Sequence, residues 1–275
     1  MRRSNEGSLA VNNQSTWFKQ PQPNPDANIV LVCFPHAGGG ASAYRDWMNT
    51  LPDNMEVIAA ELPGRESRLR ERPLQSLDEV IAALTNALPP LLNRRPYAFF
   101  GHSLGALLAF ETARALRSDN HLLPLCLFVS GREAPTKREP GRHLHNLTDD
   151  EFVEEMIYRY DGIPQLLLNE PELLALFMPA MKADLRLTEM YVYKPEVPFS
   201  FPLHILSGKN DTRLTQDLLM PWADQTTAAA PLKYFDGGHF FVRDSCAEVT
   251  DYVSRILQKF MAEEISHGQP KQVVV

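Results

Sequence analysis

The sequence predicts an α/β fold with a mainly parallel central sheet. Two observations predict it. Short, continuous apolar runs recur along the chain, and each is followed by a longer stretch with helical spacing of apolar residues. Runs without polar alternation suit strands buried on both faces, and strands alternating with helices indicate parallel pairing. The chain is 275 residues long, 44% hydrophobic and 22% charged, an ordinary globular composition that one large domain can use to bury a full core.

Taken in order, residues 1–28 are rich in Asn, Gln, Ser and Pro and read as a mobile arm, with Trp17 and Phe18 available to dock on the body. The arm carries Arg2 and Arg3 but no apolar core, so a signal peptide is not expected. The main domain is expected over 29–264, and 265–275 as a flexible tail. Strands are expected at Ile29–Phe34, Val57–Leu62, Tyr97–Phe100, Leu125–Ser130, Leu203–Ser207 and Leu232–Phe235. Ser76-Leu77-Asp78-Glu79 and Ser245-Cys246-Ala247-Glu248 read as capping boxes opening helices. After the second, Val249, Val253, Ile256, Leu257 and Phe260 form one apolar stripe. Gly105–Leu116 is also helical in pattern.

From about 135 to 198 no strand-like run appears. Thr148-Asp149-Asp150-Glu151 starts one helix through Tyr160, Asp161-Gly162-Ile163-Pro164 breaks it, and Pro171 opens a second through Leu185. This segment reads as a helical lid inserted between two strands.

Charge and cysteine content exclude several classes. The net charge is −7, which opposes a nucleic-acid binder. No apolar run is long enough to span a bilayer. Three cysteines without CxxC spacing imply neither a disulfide framework nor a metal site, and fit a cytoplasmic protein.

The sharpest chemical signal is Gly101-His102-Ser103-Leu104-Gly105, between an apolar run and a helix. A serine there sits on a tight strand-to-helix turn, its hydroxyl raised above the sheet and the helix N-terminus aimed at any oxyanion formed. Ser103 is the expected nucleophile. In α/β-hydrolases the acid and then the histidine follow the serine. His204 lies inside a strand and His267 in the polar tail, whereas His239 sits on a loop after Leu232–Phe235, so His239 is the expected base. The acid belongs on the loop after the preceding strand, which selects Asp211 over Asp217, Asp224 and Asp236. Its role is to orient the imidazole and stabilise its charged form. The Leu104 amide is one expected oxyanion donor. The second comes from the loop Pro35-His36-Ala37-Gly38-Gly39-Gly40, where Ala37 is the candidate. Neither GxxxxGK[ST] nor GxGxxG is present, so this loop does not read as a phosphate cradle.

With these motifs in place, the sequence resembles the type II thioesterases of polyketide and nonribosomal peptide synthesis, and is similar to medium-chain fatty-acid thioesterases. The resemblance runs from about Ile29 to Phe260. It rests on Phe34-Pro35-His36-Ala37-Gly38-Gly39, Leu62-Pro63-Gly64-Arg65-Glu66-Ser67-Arg68, the serine motif, Ser130-Gly131-Arg132-Glu133-Ala134-Pro135, Lys182-Ala183-Asp184-Leu185 and Gly237-Gly238-His239-Phe240-Phe241. It implies an α/β-hydrolase fold, with helices on both faces of the sheet and a helical lid matching Leu147–Tyr193. It implies the triad Ser103, Asp211 and His239, with oxyanion amides at Ala37 and Leu104. It also implies hydrolysis of acyl or aminoacyl thioesters carried on the phosphopantetheine arm of acyl or peptidyl carrier proteins, an editing role in antibiotic and other secondary metabolism. No cofactor, metal, nucleic acid or membrane is expected, and a monomer suits brief encounters with carriers.

Lys182 departs from the family, which often has Arg there; the charge is kept and the planar fork lost. Met156, Met178 and Met181 are candidate acyl contacts in the lid, although methionines at helical spacing also fit a core. Arg65, Glu66 and Arg68 read as ion-pairing residues rather than a ligand clamp. Two rivals are an esterase or lipase acting on free esters and a binding module on a hydrolase scaffold. Comparing kcat/KM for carrier thioesters against free esters separates the first, and labelling of Ser103 by a fluorophosphonate separates the second. At −7 the chain should not attract acidic carriers globally, so a local basic or apolar docking face near the lid entrance is expected.

Overall fold

The computed structural model describes residues 16–137, 143–160 and 168–267. Its centre is a seven-stranded sheet: β1 (Phe18–Lys19), β2 (Ile29–Phe34), β3 (Met55–Ala60), β4 (Tyr97–His102), β5 (Leu127–Ser130), β6 (Leu203–Gly208) and β7 (Leu232–Phe235), in spatial order β1-β3-β2-β4-β5-β6-β7. All pairings are parallel except β1 with β3.

Successive side chains on a strand point to opposite faces, and the two cores follow that period. Val30, Val32 and Phe34 enter one cluster with α1 (Leu77–Leu92) and α2 (Leu104–Ser118). Ile29, Leu31 and Cys33 enter the other, with Tyr44 and Trp47 of a 3₁₀ turn at Ala41–Asn49 and with Val249, Val253 and Leu257. The described residues between β5 and β6 include two long helices, α3 (Asp149–Tyr160) and α4 (Pro171–Glu189). After β6 come α5 (Gln216–Leu219), α6 (Phe241–Asp244) and α7 (Cys246–His267).

Several sequence expectations are adjusted. The strand expected at Val57–Leu62 begins two residues earlier at Met55, because the polar Glu56 is buried there: Arg95 donates to it at 2.6 Å and Gln20 at 3.0 Å. Within the segment read as an arm, Phe18 is 3% exposed and pairs with Ala60, while the Arg68 guanidinium lies over Trp17 at 4.3 Å. Residues 1–15 lie outside the described residues. Ser76 caps α1 as expected, its oxygen accepting from the Glu79 amide at 3.4 Å. Thr148 and Glu151 exchange bonds at the start of α3. Ser245 does not cap α7 through its side chain; its hydroxyl donates to the Asp236 carbonyl at 2.8 Å. The expected break at 161–164 lies outside the described residues, as does 268–275, whereas 265–267 continue α7.

The topology fixes where a site forms. From β2 the chain runs to β3 on one side, then returns to β4 on the other. The crevice beyond the carboxyl ends of β2 and β4 is therefore the switch point of the sheet, where open α/β sheets bind ligands.

Candidate active site

Register alone sets two parts of the site side by side. Phe34, last residue of β2, pairs with Gly101 near the end of β4, so the loop 35–40 and Ser103 leave the sheet as neighbours. Ser103 has φ 55° and ψ −112°, a backbone conformation few non-glycine residues adopt. Its amide donates to the Ser130 carbonyl at 2.8 Å, which holds the turn, and α2 begins at the next residue. Leu104 thus supplies one of the first helical amides, which have no partner inside the helix.

Parallel strands bring every carboxyl end to one edge. β6 delivers Asp211 and β7 delivers His239. His239 Nδ1 lies 2.7 Å from Asp211 Oδ2, and both side chains are nearly buried. Burial lowers the His239 pKa below 6.5; the bond from Asp211 works against that shift and the charge of Arg213 works with it. Burial works to raise the Asp211 pKa, but the bond to His239 and the charges of His239 and Arg213 outweigh it and hold the carboxyl below its usual range. The pair thus rests as a neutral imidazole on a carboxylate.

Arg213 was not singled out by sequence. Its Nη2 lies 2.7 Å from His239 Nδ1 and 3.5 Å from Asp211 Oδ2. It follows Asp211 by two residues on the loop after β6, so the edge rule that selected Asp211 also points to it. His102 is buried beside the site, 5.1 Å from the His239 ring, with Nδ1 2.9 Å from Ser130 Oγ; burial lowers its pKa well below 6.5 and it stays neutral.

Ser103, Leu104, Ala37 and His239 line one cavity of about 500 Å³. The segment between β5 and β6 walls its far side with Leu144, Met156, Arg159 and Leu185. Of the three methionines expected at an acyl channel, Met156 is on this wall. Met178 and Met181 are not among the lining residues; they are 4% and 6% exposed in a small core with Phe152, and Met181 fills the space over Gly38. Among the described residues, Arg132, Lys137, Arg159 and Arg213 line the cavity with Glu133 and Glu189; Arg159 pairs with Glu155 at 2.6 Å and Arg213 lies 3.5 Å from Asp211.

Lys182 bridges α4 to the start of α3, donating to the Leu147 carbonyl at 2.8 Å and to Asp149. Among the described residues, His143, His145 and Glu189 have metal-ligand spacing, with ligand atoms within 4.8 Å of one another. Two of the three are engaged with protein: His145 bonds Glu189, the Leu144 amide donates to Glu189 at 2.8 Å, and Arg186 lies 3.2 Å from His145 Nε2. The group reads as a strut tying Leu144–Asn146 to α4.

A parallel sheet with this switch point, a serine on a positive-φ strand–helix turn and a His–Asp pair on the same edge define an α/β-hydrolase. Comparison with known proteins narrows the class. The thioesterase domain model matches residues 30–260, and the chain belongs to that family of thioester hydrolases. It is 35% identical over 255 residues to the gramicidin S biosynthesis protein GrsT of Aneurinibacillus migulanus, covering 93% of this chain and 99% of that protein. It is 35% identical to the thioesterase PikA5 of Streptomyces venezuelae, covering 86% of this chain and 84% of that one. The solved structure of BorB, a type II thioesterase from the borrelidin biosynthetic cluster, is 34% identical and superposes with a TM-score of 0.79, covering 87% of this chain and 96% of that one. Among the described residues no helix is long and apolar enough to cross a membrane.

Proposed function

We propose that this protein is a type II thioesterase that unloads acyl or aminoacyl groups from the phosphopantetheine arms of carrier proteins in a peptide or polyketide synthase. The observation that carries the reading is the 2.7 Å His239–Asp211 bond at the same edge and cavity as Ser103. In this reading Ser103 Oγ attacks the thioester carbonyl and His239 Nε2 takes its proton. The amides of Ala37 and Leu104 hold the oxyanion. The C–S bond breaks, the departing thiolate takes the proton from His239, and an acyl-serine remains. Water, deprotonated by His239, attacks the ester; the acid leaves and Ser103 is restored. These steps use protein groups and water alone.

The substrate class is supported by three features. GrsT is named for gramicidin S biosynthesis, PikA5 as a thioesterase and BorB as a type II thioesterase of the borrelidin biosynthetic cluster, and each match covers 86% or more of this chain. The cavity volume of about 500 Å³ suits a slender arm with a modest acyl group, within the ~300–1,000 Å³ usual for small-ligand sites. Arg132 and Lys137 on the cavity lining, in a chain of net charge −7, are local basic groups that an acidic carrier or the arm's phosphate would meet. The segment from about 135 to 198 then acts as the lid.

The test is incubation of wild type and Ser103→Ala with a panel of acyl-, aminoacyl- and peptidyl-carrier proteins, read by intact mass. Loss of the serine is expected to lower turnover by roughly 10⁶-fold. A Ser103→Ala protein that unloads carriers at the native rate overturns the proposal.

A further inference from the structure

The buried ion pair Arg65–Asp184 joins α4 to the loop that carries Ala37. Arg65 Nη1 donates to Asp184 Oδ2 at 2.6 Å and Nη2 to Oδ1 at 2.8 Å, a two-point fork, with side chains 2% and 1% exposed. The same pair holds the loop on both sides of one peptide. The Gly38 amide donates to Asp184 Oδ2 at 2.7 Å, and Arg65 Nη1 also donates to the Gly39 carbonyl at 3.0 Å. Arg65 Nη2 reaches back to the Pro63 carbonyl at 3.3 Å. Two charges removed this far from water are retained only where their bonds are well made.

Peptide planarity carries the pinning to Ala37. In a trans peptide the N–H and C=O point in opposite directions. Because the Gly38 N–H faces Asp184, the Ala37 carbonyl faces away from it. The His36 carbonyl accepts from the Gly39 amide at 3.0 Å, so the Ala37 N–H, on the same peptide as that carbonyl, is aimed the other way. Both peptides flanking Ala37 are therefore fixed. Met181, three residues before Asp184 and so on the same face of α4, closes over Gly38: a Cβ there would stand 2.7 Å from Met181 Cγ. Gly38 has φ +77°.

We infer that Asp184 and Arg65 are positioning residues for the oxyanion hole, setting the Ala37 amide only when α4 is docked on the loop. This rests on the reading of Ser103 and Ala37 given above. Its consequence is that the helical segment between β5 and β6 governs transition-state stabilisation as well as substrate access. A carrier or acyl group that lifts α4 disarms the site, and one that seats it arms the site.

The test uses the full chain and a soluble acyl-cysteamine thioester. The double variant Arg65→Met/Asp184→Leu removes both charges together and leaves no buried ion unpaired. Its kcat is expected to fall about 100-fold or more, the loss usual for one oxyanion donor, with KM within about threefold of wild type. Affinity for an alkyl boronate, whose tetrahedral adduct places an oxygen in the hole, should fall in parallel. Affinity for a non-hydrolysable thioether analogue should not change. A purely structural pair would lower the melting temperature and leave the boronate-to-thioether ratio intact, and that result overturns the inference. If the double variant does not fold, Arg65→Lys decides. Lysine keeps the charge but cannot hold Asp184 and the Gly39 carbonyl as a fork, so a drop in kcat of about tenfold or more is expected; wild-type kcat overturns the inference. Ser103→Ala is run alongside. If that variant still turns over, the functional reading itself has failed; if it is dead while the paired variant is fully active, only the positioning role has failed.

Discussion

Gly105 on α2 lies so close to Phe34 on β2 that a Cβ on the glycine would stand 1.8 Å from the Phe34 carbonyl oxygen. A Cβ on Gly101 would likewise stand 2.1 Å from the Gly105 carbonyl oxygen. The outer glycines of the serine motif are thus where β2, β4 and α2 press together. That contact sets the serine turn against the loop leaving β2, so the spacing between Ser103 and Ala37 depends on it.

Gly105→Ala should therefore force α2 off the sheet rather than fill a gap. Overpacking in a close-packed core costs about 1–3 kcal/mol, and a clash with backbone belongs at or above the top of that range. A melting temperature lower by roughly 6–12 °C is expected for a domain of this size, with loss of activity in the folded fraction. Thermal denaturation followed by circular dichroism checks it; an unchanged midpoint would show that the helix withdraws freely.

Asp211→Asn removes the carboxylate facing His239 Nδ1 at nearly constant shape. The amide can offer a hydrogen to that nitrogen and so favour the tautomer that cannot take the serine proton. A fall in kcat of about 10⁴-fold is expected, with little change in stability. Asp236→Asn serves as the control, because Asp236 is largely exposed and pairs with Lys209 rather than with His239. Steady-state kinetics on both variants should separate them; equal effects would return the acid role to open choice among the aspartates.

Much of this was legible beforehand, because continuous apolar runs locate buried parallel strands and the chain order of β4, β6 and β7 assigns Ser103, Asp211 and His239 to one edge. What was not legible was long-range polar pairing. Arg65 and Asp184 stand 119 residues apart, and nothing local marks the aspartate as the partner of that arginine. The two-residue strand at Phe18–Lys19 is too short to show a period. Ser245 has the spacing of a capping box, yet its hydroxyl turns to Asp236, a choice that tertiary contact made and local sequence does not encode.

Arg213 gives a prediction with a definite sign. In the proposed mechanism His239 accepts the serine proton only when neutral, and burial together with the Arg213 charge holds its pKa below 6.5. The acid limb of kcat/KM is therefore expected below pH 6.5 in the wild type, with activity lost as pH falls through the His239 value. Arg213→Gln removes a charge that disfavours the imidazolium, so that pKa rises and the acid limb moves to higher pH. A pH profile of kcat/KM for both proteins reads this directly, and a limb that stays in place or moves to lower pH contradicts it.

The methionines of the helical segment divide into two kinds by position, and their substitutions should divide the same way. Both belong to the small core with Phe152, but Met156 also lines the cavity, whereas Met178 does not. Met156→Trp adds bulk where an acyl chain would run. It should raise KM for longer acyl thioesters while leaving acetyl thioester kinetics near wild type. Met178→Ala removes buried volume away from the cavity wall. It should cost about 2–5 kcal/mol of stability, as large-to-small core changes do, and leave the ratio of long- to short-chain kcat/KM unchanged. Chain-length profiles and thermal melts on the two variants check the division. If Met178→Ala shifted the chain-length ratio as strongly as Met156→Trp, the acyl path would have to pass between α3 and α4 rather than along the cavity at Ser103.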